Sequence, residues 1–372
     1  MQNFNIITLR LLLCLLMGIF VIPSFGKNKK QETKVHNEGQ DQHDEGFDAG
    51  SFIFDHIYDA YEWHIATIGE THISIPLPVI IYSKTKGLNC FFSSNFHHGQ
   101  SIYKGFKIED EGENKGKIVE VLDDGTTDLN APLPLDISIT KNVIALMFSM
   151  ILMLFIFISV AKAYKRREGK APKGMQSFVE PIIIFVRDEI AKPAIGEKNH
   201  EKFLPSLLTF FFFIWFNNML GLIPIFPAGA NVTGNIAITM ALALFTFIIT
   251  VINGNKHYWL EIFNAPGVPW WLKLPIPMVP VIEIFGMFTK PFVLMIRLFA
   301  NISAGHIIAL GFFSLIFIFG EMKAVLGYGV SVIAILFTVF MTFLELLVAL
   351  IQAYVFTLLS ALYFGMATVE EH

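Results

Sequence analysis

From Met278 to Phe319 the chain runs almost without a polar break, and it does so again from Leu326 to Met366. At about 1.5 Å per residue each stretch makes a helix about 60 Å long. That is twice the roughly 30 Å of a bilayer's hydrocarbon core. Neither run holds a polar turn strong enough to fold it into a helical pair, although Pro291 could kink the first. Each is therefore read as one helix, tilted by about 60° to fit the core. Tilts usually stay within about 40°, so a large packing partner must impose this one.

Three shorter apolar runs, 139–164, 203–223 and 234–252, each suit a single membrane span. Between the first two, "MQSFVEPIIIFVRDEIAKPAIG" (Met175 to Gly196) spaces charges among apolar residues. That pattern suits a helix lying on the membrane surface. The segment 253–277 adds the interfacial aromatics Tyr258, Trp259, Trp270 and Trp271.

The pattern before residue 139 differs. Residues 1–26 carry one positive charge, Arg10, then an apolar core from Leu11 to Ile22 and the small residues Ser24 and Gly26. That core is short for a span and predicts a cleavable secretory signal. Residues 27–50 are polar and acidic, a composition that predicts disorder. From about 52 to 135, strand-like runs such as "THISIPLPVIIY" (Thr71 to Tyr82) and "GKIVEVLDDG" (Gly116 to Gly125) alternate with Gly, Asn and Asp clusters. Residues 27–138 thus form an extension with a small β-rich part, and 139–372 a membrane domain. The extension holds His36, His43, His56, His64, His72, His97 and His98, whose spacing matches no metal-ligand motif.

Composition and charge fix the class and the orientation. Of 372 residues 54% are hydrophobic, 38 are phenylalanine and only 16% are charged, against roughly 25% in soluble domains. Lys162, Lys165, Arg166, Arg167 and Lys170 follow the first span and mark its cytoplasmic end. The extension is then extracytoplasmic. Lys198, Lys202 and Lys256 put the outer ends of the next two spans on the cytoplasmic side. The only cysteines are Cys14 and Cys90, so a mature chain without the signal has no intrachain disulfide. The fold class expected is an all-α polytopic membrane protein with about five membrane helices, two of them long and steeply tilted. One amphipathic surface helix and a small β-rich extracytoplasmic region complete it.

Candidate chemistry lies in the two long helices. The first contains Glu283, Lys290, Arg297, Asn301, Ser303 and His306, the second Thr338, Thr342, Glu345, Gln352, Tyr354 and Ser360. Some of these can serve helix packing, at about 0.6 to 2 kcal/mol per hydrogen bond. Ionisable groups within a membrane more often line ion paths. At about 100° per residue, Glu283 falls within about 40° of the Arg297 face, with Asn301 nearby, while His306 points to nearly the opposite side. Thr338, Glu345 and Gln352 repeat every seven residues and form one stripe. His306 and Glu345 can exchange protons near neutral pH, whereas Arg297 keeps its charge and cannot relay them. Two half-paths separated by a fixed cation conduct only if a mobile carboxylate carries the proton around, and that carboxylate must belong to a partner.

"RLFANISAGH" (Arg297 to His306), "FLELLVALIQAYVFTLLSALY" (Phe343 to Tyr363) and "FNNMLGLIP" (Phe216 to Pro224) resemble subunit a of the F-type ATP synthases over roughly 139–372. The resemblance implies that Arg297 is the essential stator arginine with Gln352 as its neighbour. It implies that Asn301, His306 and Glu345 line the extracytoplasmic half-channel, Glu283 the cytoplasmic one, and that Asn218 faces the inlet. Many bacterial relatives carry glutamate at the position of His306 and histidine at that of Glu345. Here the pair is exchanged, as in mitochondrial versions. Gly221 replaces an acidic residue that many relatives place just before Leu-Ile-Pro. The long N-terminal extension resembles versions from Bacteroidetes-like bacteria.

The same resemblance implies a proton-translocating stator subunit in the bacterial inner membrane, its C-terminus cytoplasmic, with nucleotide catalysis on other subunits. Its partners would be the c-ring proteolipids, the subunit b peripheral stalk, the remainder of the F1F0 complex and membrane lipid. No cofactor, metal or nucleic acid is implied. A sodium-coupled version is an alternative. A self-contained channel or transporter would need its own carrier site and often an internal repeat, and neither is found. A membrane-anchored binding module would leave Arg297 and Glu345 without a role. No H-E-x-x-H pair or serine–histidine constellation supports an intramembrane enzyme.

Overall fold

The computed structural model describes residues 48–369 apart from 69–70, 98, 100, 111, 123, 129–130, 224 and 265–277. The signal segment, His36, His43, His98, Pro224, Trp270 and Trp271 lie outside the described residues.

The N-terminal domain opens with a helix, α1 (Ala49–Ile57), where disorder and then strand were expected. Phe52, Ile53 and Ile57 recur at helical rather than alternating spacing, and the Asp48 side chain caps the first turn by accepting from the Gly50 amide at 2.8 Å. An antiparallel hairpin comes next, β1 (Glu62–Ile68) with β2 (Thr71–Pro76). β3 (Pro78–Ser83) lies between β4 (Gly87–Phe92) and β7 (Leu135–Asp136), and β5 (Phe106–Ile108) pairs with β6 (Ile118–Glu120). The run Thr71 to Tyr82 is therefore two strands of two different sheets. The break falls at Leu77, between Pro76 and Pro78, where prolines remove ladder donors.

Alternation along β3 sends Val79 and Ile81 inward to meet Phe96, Phe106 and Ile118. Buried Glu120 accepts the hydroxyls of Ser83 and Thr85, which compensates for burying a carboxylate. Tyr61 donates to Asp136 at 2.5 Å. Burial and that neighbouring carboxylate push the phenol well above its usual range, so it remains a donor tying the segment before β1 to β7.

The helical part begins with α2 (Lys141–Arg166). Its N-cap Thr140 makes no capping bond of its own. Asp59 caps the helix instead, accepting from the Asn142 amide at 3.0 Å and the Thr140 hydroxyl at 2.7 Å. A carboxylate there also complements the helix dipole. The predicted surface helix is α3 (Met175–Phe185), continued by a π-helical stretch Val186–Ala191 and a short α4 (Lys192–Ile195). One side buries Val179, Val186, Ile190 and Ala191. On the other, Arg187 and Lys192 bond Asp188 at 2.8 and 2.7 Å and hold its carboxyl well below the usual range.

Then come α5 (His200–Gly221), α6 (Ile236–Ile252) and α7 (Lys256–Asn264). Last are α8 (Met278–Met322) and α9 (Ala324–Thr368), each a single helix of 45 residues. Pro291 lies inside α8 without breaking it. Among the described residues four helices are long and apolar enough to cross a membrane. The number becomes five if α6 and α7, bent by 104°, count as one span. Lys323 alone separates α8 from α9. The hairpin closes so tightly that a Cβ on Gly327 would stand 2.7 Å from the Gly320 Cα.

The main core joins α2, α3, α5 and α6 to parts of the long pair: Leu294, Met295, Leu298 and Ile302 of α8, and Ala353, Phe356, Ala361 and Phe364 of α9. Elsewhere the pair displays large apolar side chains, among them Phe285, Phe292, Leu336 and Phe343. Surfaces of that extent mark lipid or protein contact. Besides capping α2, the N-terminal domain rests on this bundle through aromatic contacts. Phe52 of α1 meets Phe317 of α8 at 6.0 Å between ring centroids. Trp63 of β1 packs with Ala145 and Leu146 of α2 and with Ala230, Val232 and Ile238.

Candidate functional site

Helical periodicity sets His306 and Arg297 on different sides of α8, while Asn301, expected nearer the Arg297 side, lines the cavity that His306 borders. His306 looks inward at α9, where its Nδ1 stands 3.2 Å from Oε1 of Glu345. The pair borders a cavity of about 160 Å³ that Asn218 and Asn301 also line. Four of the seven residues singled out from the sequence therefore converge, from α5, α8 and α9. The cavity is several times the space one water needs, and Asn218, Asn301, His306 and Glu345 supply polar partners within a mostly apolar lining.

Asn218 is buried and held at both ends. Its amide donates to the Ala349 carbonyl at 3.4 Å, and its oxygen accepts from the Thr233 hydroxyl at 2.5 Å. Thr233 was not singled out, because a loop threonine carries no pattern of its own. Two glycines were also missed as site-forming residues. A Cβ on Gly305 would lie 2.5 Å from Glu345 Oε1, so only glycine leaves that carboxylate in place. A Cβ on Gly221 would lie 3.9 Å from His306 Nε2. Gly221 thus backs directly onto the histidine.

Arg297 lies on the other face of α8, exposed, and among the described residues it is in no ion pair. Gln352 is buried on α9 at 7% exposure, with no hydrogen bond to Arg297. Glu283 is exposed, fourteen residues from Arg297 and about 21 Å along the helix. Glu345 and Gln352 share a half-buried to buried stripe with Thr338, whose buried hydroxyl has no partner. Between Glu283 and Arg297, the Lys290 ammonium sits over the Tyr363 ring at 5.7 Å. Thr246, Thr250 and Tyr258 gather at the same spot around a void of about 10 Å³. Sequence reasoning noted Lys290 as polar but had no signal for a pairing across seventy residues.

A family model described as ATP synthase A chain matches residues 143–365. The chain belongs to that family. The A-chain match ends short of the N-terminal domain, which matches instead a domain of unknown function (DUF8433) over residues 52–137. Among relatives, ATP synthase subunit a 2 of Chlorobaculum tepidum is 46% identical over 246 residues, covering 63% of this chain and 64% of the relative. ATP synthase subunit a of Chloroherpeton thalassium is 42% identical over 238 residues, covering 63% and 68%. That of Myxococcus xanthus is 39% identical over 244 residues, covering 64% and 75%. The chain thus spans just under two thirds of the Chlorobaculum protein. A-chain membership and the long apolar helices together make it a multi-pass membrane protein.

Proposed function

We propose that this chain is the stator channel subunit of a proton-driven F-type ATP synthase, pressed against a ring of proteolipids that each carry one carboxylate. The observation that carries the reading is the division of α8. On one face His306 and Glu345 are enclosed together, and on the other Arg297 stands exposed without a counter-charge. In an apolar helix an exposed guanidinium needs an anion from elsewhere.

Protons enter from the extracytoplasmic side through the Asn218–Asn301 cavity and exchange on His306 and Glu345. They then load a ring carboxylate. After nearly a full turn of the ring they leave past Glu283. Arg297 attracts a deprotonated ring carboxylate and cannot itself relay a proton, so the two half-paths stay electrically separate. Gln352, buried on α9, serves in this reading as a positioning residue for Arg297. At 45 residues, or about 68 Å each, α8 and α9 lie steeply tilted along the ring to stay within the hydrocarbon core. Nucleotide chemistry resides on other subunits, with subunit b holding the stator.

Replacing Arg297 with alanine tests this. Proton-driven ATP synthesis in Arg297→Ala membranes should fall to background at normal assembly. Undiminished synthesis would refute the assignment.

A further inference from the structure

The N-terminal domain carries a surface that the A-chain reading leaves unused. β3 buries Val79 and Ile81, and its alternate residues Pro78, Ile80 and Tyr82 form the outer face of the sheet. Register places Phe92, Cys90 and Leu88 of β4 beside them in turn, and Leu135 of β7 beside Tyr82 on the other side. Ile137 continues that row, its amide bonded to the Ile80 carbonyl at 2.8 Å. Leu88, Phe92 and Ile137 are 66%, 56% and 58% exposed. The face is eight residues in register without a charge. The exposed Lys84 stands at its far end, two residues beyond Tyr82.

Two observations choose its occupant. Two strands of six residues and the two-residue β7, about 4.8 Å apart, give a footprint of about 230 Å². A stable protein dimer needs about 800 Å² per partner, so a second copy of the chain is a poor fit. The face is also continuous with the membrane boundary. The Ile139 amide bonds the Pro78 carbonyl at 3.0 Å, and the Lys141 amide bonds the Ala60 carbonyl at 2.9 Å. The near end of β3 is thereby fastened to the chain two residues before α2, a helix long and apolar enough to cross a membrane.

We infer that the outer face of the β4–β3–β7 sheet lies on the lipid leaflet from which α2 enters. Pro78, Ile80, Cys90, Phe92 and Ile137 contact acyl chains, while Tyr82, its register neighbours Leu88 and Leu135, and Lys84 sit toward headgroup level. An uncharged face enters the interface without desolvating an ion, and a lysine beyond it can reach lipid phosphate. The DUF8433 domain is then a monotopic anchor beside the bundle, whatever ion the bundle carries.

Cys90 sits mid-face, opposite Ile80, and provides the probe. The whole complex carrying Cys14→Ser would be labelled at Cys90 with bimane and placed in phosphatidylcholine bilayers. A control would carry Cys14→Ser, Cys90→Ser and Lys115→Cys, with the label on an exposed turn next to β6. Brominated phosphatidylcholine should roughly halve the Cys90 signal and leave the Lys115 signal unchanged, with aqueous iodide doing the reverse. Cys90 quenched by iodide as strongly as the control would overturn the inference. So would Cys90 shielded from both quenchers, because a protein partner would then cover the face. Neither readout depends on ATP synthesis, so the synthase reading stands or falls separately.

Discussion

Arg297 and His306 are nine residues apart on one helix, about 14 Å along it, and they live in opposite worlds. His306 has its partner within the chain, Glu345 at 3.2 Å, and a shared cavity of about 160 Å³. Arg297 is exposed and in no ion pair among the described residues. The chain thus builds a finished site for one ionisable group and leaves the other unfinished. In the proposed function the histidine side is complete within this polypeptide, and the arginine side takes its anion from another molecule.

The largest effect should come from the unfinished side. Arg297→Ala should lower proton-driven synthesis by more than about a hundredfold. Arg297→Lys should rescue little of it, since an ammonium lacks the planar fork and titrates more readily when desolvated. Synthesis in membrane vesicles at matched subunit content measures both. On the finished side, Gly305→Ala should displace the Glu345 carboxylate and slow synthesis about tenfold, equivalent to about 1.4 kcal/mol of barrier. If Gly305→Ala vesicles match the parent, Glu345 does not need its position.

Exchanging the pair is a subtler probe. His306→Glu with Glu345→His should retain more activity than either single change, because the site keeps both group types. Equal losses in all three variants would contradict a shared proton site. The smallest effect belongs to support. Thr233→Val strips the Asn218 oxygen of its donor, which should destabilise the site by about 1 to 3 kcal/mol. Thermal unfolding should register this, with turnover little changed. A turnover loss as large as that of Gly305→Ala would place Thr233 in the path itself.

Much of this was legible in the sequence, for reasons that differ by region. The long helices show in hydropathy alone, and with no turn in either run they read as single helices, as α8 and α9 are. A step of 100° per residue already set His306 opposite Arg297. The seven-residue stripe already put Glu345 and Gln352 on one side of α9. Gly305 and Gly221 escaped because their contribution is the absence of a side chain, visible only when the neighbouring helix is in place. Thr233 and the Lys290–Tyr363 contact escaped because they join segments that no local pattern connects. In the N-terminal domain, strand composition concealed α1, whose nine residues are too few for a strong periodic signal.

The central claim is that the chain alone holds two blind half-paths and no through-route. Proton flux into liposomes containing only this purified polypeptide, under an imposed potential, tests it most directly. Flux should be no greater than in empty liposomes, with conduction appearing when the proteolipid ring is added. Steady conduction by the polypeptide alone would contradict the claim.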